Sequence, residues 1–84
     1  MRYSLKIKQS ALKELQRLGK KERSRIVEAI DQLAVHPHVG KLLKGGFSGL
    51  RRLRVENYRI IYEINEGEVL ILALRIAHRQ QVYR

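Results

Sequence analysis

Arginine residues in the second half of this chain form its strongest chemical signal. The segment RRLRV places Arg52 and Arg54 two residues apart, so a β-strand would present both on one face. The segment YRIIYEI adds Arg59 in the same manner. Three further polar residues follow in the C-terminal segment AHRQQVYR: His78, Arg79 and Tyr83. Because guanidinium groups bind phosphate oxygens two at a time, this set predicts a surface that binds phosphate.

The charge of the whole chain also indicates a polyanionic partner. Its 84 residues carry 18 Lys and Arg against 8 Asp and Glu, a formal net charge of +10. We expect nucleic acid first, an acidic protein second and an anionic membrane surface third. Since Arg rather than Lys dominates residues 43–84, we place the binding surface there and add Arg51 and Lys44 to Arg52 and Arg54 as substrate-binding candidates.

Each candidate also has an ordinary structural explanation. The strand arginines could be solvated charges, with Arg59 paired to Glu63. His78 alone would more often be a surface or packing residue. Tyr83 could serve only to pin the end of the chain to the sheet.

Several classes of site and location are disfavoured by composition. Without Cys there is no disulfide, thiolate zinc site or cysteine nucleophile. His36 and His38 flank Pro37 without further ligands nearby in the sequence, so we expect no metal and no cofactor. The longest apolar run, VLILAL, is too short to span a bilayer, and MRYSLKIK lacks the core of a signal peptide. We therefore expect a single cytoplasmic domain over residues 1–84.

The elements that must position these residues follow from periodicity. Alternating Tyr3, Leu5 and Ile7 predict an edge strand. Ser10 is a plausible N-cap for a short helix that ends near Gly19, and a second helix runs from residue 20 until Pro37 stops it. The spacing predicts an antiparallel helical hairpin.

A connecting loop over residues 35–49 leads to three predicted strands, at residues 50–55, 58–64 and 69–77. Short turns between them indicate an antiparallel meander. The last strand is apolar on both faces and should lie inside the sheet. The predicted fold class is α+β, with a helical hairpin packed on a small twisted sheet.

The run GLRRLRVENYRIIYEI, followed by LRIAHRQQVYR, resembles the RelE/ParE superfamily of bacterial and archaeal toxins. The resemblance implies the same helical hairpin on an antiparallel sheet, and an acidic, RelB-like antitoxin as cognate partner. It implies two alternative activities. The RelE branch cuts messenger RNA without metal, usually on the ribosome, whereas the ParE branch poisons DNA gyrase and generally lacks the catalytic residues.

This chain keeps the residues of the RelE pattern, so we expect an endoribonuclease, with gyrase inhibition or non-catalytic nucleic-acid binding as alternatives. By match, Arg59 falls on the arginine that stabilises the scissile phosphate, and Arg79 on the C-terminal arginine. Tyr83 falls on the terminal tyrosine, and His78 on a position that is a catalytic histidine in some members. Arg52 and Arg54 fall on basic substrate-binding positions.

Three departures from the family pattern affect the expected chemistry. The turn Glu56-Asn57 replaces a more usual Gly-Asp, and Ala77 replaces a Gly. Arg52 stands where ribosome-dependent members often have Lys, and a guanidinium cannot serve as a general base because it does not lose its proton. His78 and Tyr83 therefore remain the candidates for proton transfer, with acid and base unassigned between them.

Overall fold

A computed structural model describes residues 2–45 and 49–76. The two helices are α1 (Gln9–Gln16) and α2 (Lys20–Leu33). The strands are β1 (Ser4–Ile7), β2 (Lys41–Leu42), β3 (Leu50–Val55), β4 (Tyr58–Asn65) and β5 (Glu68–Ile76). They form a five-stranded sheet in the order β1-β5-β4-β3-β2. The predicted α+β fold class is confirmed.

The sheet combines the predicted meander with one parallel pairing. β3, β4 and β5 are joined by short turns and pair antiparallel, while β1 lies parallel to β5 at one edge. The interior position of β5 and the edge position of β1 agree with the prediction. The two-residue strand β2 was expected as part of a loop; it pairs antiparallel with β3 and forms the other edge.

The helices differ from expectation at their starts and ends. Ser10 lies inside α1 rather than capping it, because Lys8 is the residue that leaves the sheet: its N–H bonds to the Ile71 carbonyl and its own carbonyl accepts the Leu12 N–H. Gly19 separates the helices as the N-cap of α2. α2 ends at Leu33, before the expected stop, and Pro37 begins a short 3-10 helix. In the described part of the chain, no helix is long and apolar enough to cross a membrane.

The core lies between the helices and one face of the sheet. Its buried side chains come from both layers: Ala11, Leu15, Ile26, Ile30, Leu33, Ile60, Tyr62, Val69, Ile71 and Leu74. Partly buried Leu53, Val55 and Tyr58 pack against this cluster. The opposite face of the sheet, which we call the outer face, is therefore not covered by α1 or α2.

A β-bulge in β5 decides which of its residues reach the outer face. Tyr62 lies opposite Ile71 while the preceding Ile61 lies opposite Ala73, so Leu72 is an extra residue in β5. Strict alternation after Ile71 would place Ala73 in the core. The bulge instead sends Leu74 into the core and turns Ala73 to the outer face.

Candidate nucleic-acid interface

Arg52 and Arg54 lie on the outer face of β3. They alternate with Leu53 and Val55, which pack against the core. Arg59 of β4 lies directly opposite Arg54, so the two side chains share this face. The structure thus brings together the three strand arginines that the sequence predicted.

Arg75 of β5 extends this group by one strand. It lies directly opposite Arg59, on the side away from Arg54. Adjacent strands are about 4.8 Å apart, so Arg54, Arg59 and Arg75 form a row of three guanidinium side chains across β3, β4 and β5. We call these three residues the arginine row. Its outer members are exposed, and Arg59 between them is half-buried.

A second row runs beside the arginine row. Lys41 of β2 lies opposite Arg52, Arg52 lies opposite Ile61, and Ile61 lies opposite Ala73. The second row is therefore cationic at the β2 edge and apolar toward β5. Together the two rows form a basic surface with a small apolar area at Ile61 and Ala73. Such a surface suits a phosphate backbone whose sugars or bases also make contacts.

No carboxylate neutralises the arginine row within the described residues. The ion pairs found there are Arg17–Glu14 and Arg25–Glu56, and neither involves the row. Glu63 accepts a hydrogen bond from the Asn65 amide at 3.2 Å and forms no ion pair with Arg59. The residues outside the described part include no Asp or Glu. The row therefore has the charge of an anion-binding surface.

Arg51 is separated from the other predicted substrate-binding residues. It lies opposite Tyr62, on the helix side of the sheet. Its guanidinium donates hydrogen bonds to the carbonyl oxygens of Gly40 at 2.9 Å and His38 at 3.3 Å. Arg51 thus holds the segment that leads into β2. Lys44 is exposed in the loop after β2 and belongs to neither row.

Tyr62 anchors the same segment from the core. The side chain is fully buried, and its hydroxyl donates to the Pro37 carbonyl at 2.7 Å and accepts from the Gly40 N–H at 2.9 Å. Burial raises the pKa of Tyr62, while the Gly40 hydrogen bond and the charge of Arg51 oppose that rise. A neutral Tyr62 and a charged Arg51 therefore hold residues 37–40, the segment that leads into β2. They thereby also fix the position of Lys41 at the start of that strand.

The remaining predicted site residues, His78, Arg79 and Tyr83, lie outside the described residues. Within the described ranges, no three His, Cys, Asp or Glu side chains lie close enough together to hold a metal ion.

Arg75 and Lys41 are candidate site residues that sequence reasoning missed. The alternation along β5 assigns Arg75 to the face of Ile71, and only the bulge at Leu72 reverses that assignment. Lys41 lies in a strand of two residues, which is too short to show a period. A useful signal was available for Arg75: it is the one charged residue within the apolar run of the last strand after Glu68.

A family model described as the ParE toxin of the type II toxin-antitoxin system matches residues 5–83. The chain is 34% identical over 84 residues to the toxin RelE of Mycobacterium tuberculosis, covering 98% of this chain and 87% of that protein.

Solved structures show the same fold. The toxin-antitoxin complex RelBE2 from M. tuberculosis contains a chain that matches with a TM-score of 0.84 and 26% identity, covering 90% of this chain and 99% of that one. The archaeal RelE-RelB complex from Pyrococcus horikoshii matches with a TM-score of 0.77 and 32% identity, covering 94% of this chain and 99% of that one. The expected resemblance is confirmed over nearly the whole chain.

Proposed function

Because this chain belongs to the RelE/ParE superfamily of toxins from type II toxin–antitoxin systems, we propose that it is an endoribonuclease that cleaves messenger RNA, with the ribosome as the site of cleavage. The proposal goes beyond family membership, since the superfamily includes toxins that are not nucleases. It rests on the outer face of the sheet.

The observation that carries the proposal is the location of Arg59. This side chain lies at the middle of the arginine row, half-buried between two exposed arginines and without an ion-pair partner among the described residues. Because Arg59 is partly shielded from water and is not neutralised by an ion pair there, its charge acts more strongly on a bound anion than that of an exposed arginine. A cation placed where negative charge develops on a phosphate stabilises the transition state.

RNA supplies its own nucleophile, so the enzyme has three tasks. The 2′-hydroxyl loses its proton and its oxygen bonds to phosphorus, the bond from phosphorus to the 5′-oxygen breaks, and that oxygen takes up a proton. The products are a 2′,3′-cyclic phosphate and a 5′-hydroxyl. We assign charge stabilisation at the phosphate to Arg59 and Arg79, and the two proton transfers to His78 and Tyr83.

Arg52 and Arg54 have a different role in this proposal. Both lie on β3: Arg54 lies opposite Arg59 at one end of the arginine row, and Arg52 lies in the second row, opposite Ile61. We assign them to holding substrate phosphates in the ground state and the transition state alike, which strengthens binding without raising the rate of chemistry. Lys44 and Arg51 were expected in this set. We keep Lys44 among the substrate-binding residues, and we assign Arg51 to holding the segment that leads into β2.

The partner that would restrain such a toxin is an acidic antitoxin. The solved relatives from M. tuberculosis and P. horikoshii are toxin–antitoxin complexes. The uncompensated charge of the outer face supports a partner segment rich in Asp and Glu, which would cover the arginine row and exclude RNA. Co-expression with the neighbouring reading frame should restore growth if that frame encodes a small acidic protein.

The matching family model bears the ParE name, which favours DNA gyrase inhibition as a second candidate. Induction of the protein in cells separates the two. We expect new transcript 5′ ends within coding regions, and far fewer of them after induction of an Arg59→Ala variant expressed to the same level. Intact transcripts together with cleaved gyrase–DNA complexes would reverse the ranking.

A further inference from the structure

We propose that Arg75 is a further phosphate-binding residue of the outer face, and that Arg54 and Arg75 hold the phosphates on either side of the one contacted by Arg59. This inference rests on the proposed function, because it takes single-stranded RNA as the ligand. It also predicts how the substrate lies on the sheet: the RNA backbone crosses β3, β4 and β5 roughly at right angles to the strands.

The arginine row is electrostatically unfavourable when nothing is bound to it. Like charges directly opposite each other on adjacent strands destabilise a sheet, and Arg59 faces an arginine on both sides. None of the three forms an ion pair in the described part of the chain. The arginine row therefore opposes folding when it is empty. A polyanion that spans the row removes this repulsion and replaces it with attraction.

Position and exposure distinguish the three arginines of the row. Three long side chains rooted on adjacent strands can spread their guanidinium groups over more than one phosphate. Arg59, at the centre, is the least exposed of the three. The exposed flanking arginines are better placed to reach outward to neighbouring phosphates, whereas Arg59 is better placed to act at a single fixed point.

The β-bulge in β5 brings Arg75 to the outer face. If Leu72 paired in register instead of forming the bulge, alternation from Ile71 would direct Arg75 toward the helices. A β-bulge is a common means of redirecting one side chain near a functional site. Here it places both Ala73 and Arg75 on the outer face, so the row gains its third cation and the small Ala73 leaves room beside Ile61.

Arg75 is also accessible and is not neutralised by the nearest helix. It borders a groove of about 470 Å³ between α1 and the end of β5, which is also lined by Ser10 and Glu14. Glu14 is paired with Arg17 at 3.4 Å. Among the described residues Glu14 forms an ion pair with Arg17 and none with Arg75, so no ion pair engages the guanidinium of Arg75 there.

The test compares Arg75→Gln with Lys13→Gln, which removes the same charge from an exposed residue of α1. Binding of a single-stranded RNA that carries 2′-O-methyl groups, and so cannot be cleaved, is measured by fluorescence anisotropy across a salt series. We expect Arg75→Gln to weaken binding about tenfold at low salt and to reduce the slope of log K against log salt by about 0.7, the value for one phosphate contact to a single strand. Lys13→Gln should change the RNA affinity and the salt slope by no more than about a third of these amounts.

Thermal unfolding of the free protein gives an independent readout with the opposite sign. Since Arg75→Gln relieves repulsion in the empty row, we expect its Tm to rise by about 1–4 °C at low salt, and the rise to shrink as salt increases. A residue that merely supports the fold would lower Tm when replaced. Lys13 lies in the last turn of α1, where a cation favours the helix, so Lys13→Gln should leave Tm unchanged or lower it.

Cleavage of mRNA on programmed ribosomes distinguishes failure of this inference from failure of the proposed function. The wild type should cleave, and Arg75→Gln should need a higher protein concentration for half-maximal cleavage while reaching a similar maximal rate. A cleaving wild type with an Arg75→Gln variant that binds RNA like Lys13→Gln would overturn the role of Arg75 alone. A wild type that cleaves no RNA would refute the proposed function, and the assignment of Arg75 to RNA would fall with it.

Discussion

Removal of the Tyr62 hydroxyl is the substitution whose effect can be worked most directly from the structure. Tyr62→Phe keeps the fully buried ring and deletes two hydrogen bonds, one to the Pro37 carbonyl at 2.7 Å and one from the Gly40 N–H at 2.9 Å. Each such bond contributes about 0.5–1.5 kcal/mol net, and more when its partner is left buried without a replacement. We therefore expect the free energy of unfolding to fall by about 2–3 kcal/mol, a large part of the roughly 5–10 kcal/mol typical of a domain this size.

Urea unfolding at neutral pH measures this loss. Tyr58→Phe is the matched control, because Tyr58 is half-buried in the same strand and its hydroxyl makes no hydrogen bond within the described residues. The control should lose less than about 0.5 kcal/mol. The midpoint of the Tyr62→Phe transition should shift with little change in the denaturant slope, since the surface exposed on unfolding stays nearly the same.

The stability of the protein at alkaline pH gives a second test of the same hydroxyl. Burial raises the pKa of Tyr62 above the unfolded value of about 10. The folded state therefore binds this proton more tightly, and the resulting stability is fully present below about pH 10 and is lost as pH rises through the folded pKa. Wild type should lose up to about 1.4 kcal/mol per pH unit more than Tyr62→Phe in that range. Equal neutral stability and equal alkaline slopes for the two proteins would refute the anchoring role of Tyr62.

Three substitutions test neighbouring parts of the account. Gly40 has ordinary extended torsions (φ −74°), but a Cβ there would clash with the Tyr62 hydroxyl and would lie 2.8 Å from Tyr62 Cε1 and 3.0 Å from the Arg52 carbonyl, so Gly40→Ala should cost about 1–3 kcal/mol in urea unfolding. Because Tyr62→Phe removes the clashing hydroxyl, a steric cost predicts that the two substitutions combined are less than additive, and full additivity would contradict it. Arg59→Ala should slow single-turnover RNA cleavage at least about tenfold with little loss of binding, whereas Arg52→Ala should mainly weaken binding and reduce its salt dependence. If both variants changed the cleavage rate and RNA binding in the same way, the assignment of Arg59 to chemistry and Arg52 to binding would be wrong.

Much of the sheet could be predicted because alternation and turn signals agree. The bounds of β3 were predicted as Leu50–Val55 and are observed there, since Leu53 and Val55 alternate with charged residues and a turn follows at once. The interior position of β5 followed from apolar residues on both faces. Arg52, Arg54 and Arg59 converge as expected because alternation places them on one side of paired strands.

The features that were missed depend on contacts distant in sequence. In the turn between β3 and β4, Glu56 adopts a left-handed conformation (φ 53°) and pairs with Arg25 of α2. That pairing offsets a backbone conformation that Glu disfavours. Arg51 was grouped with the substrate-binding arginines, although it alternates in phase with Leu53 and Val55 and so belongs to the helix side. Its hydrogen bonds to residues 38 and 40 depend on the loop path, which no local pattern specifies.

The chemistry of the cleaved ends tests the central claim most directly. Purified protein is mixed with ribosomes programmed with a defined messenger RNA, and the 3′ terminus of the upstream fragment and the 5′ terminus of the downstream fragment are determined. We expect a 2′,3′-cyclic phosphate and a 5′-hydroxyl, produced by the wild type and at least about tenfold more slowly by Arg59→Ala. Intact RNA, or fragments carrying a 3′-hydroxyl and a 5′-phosphate, would contradict it.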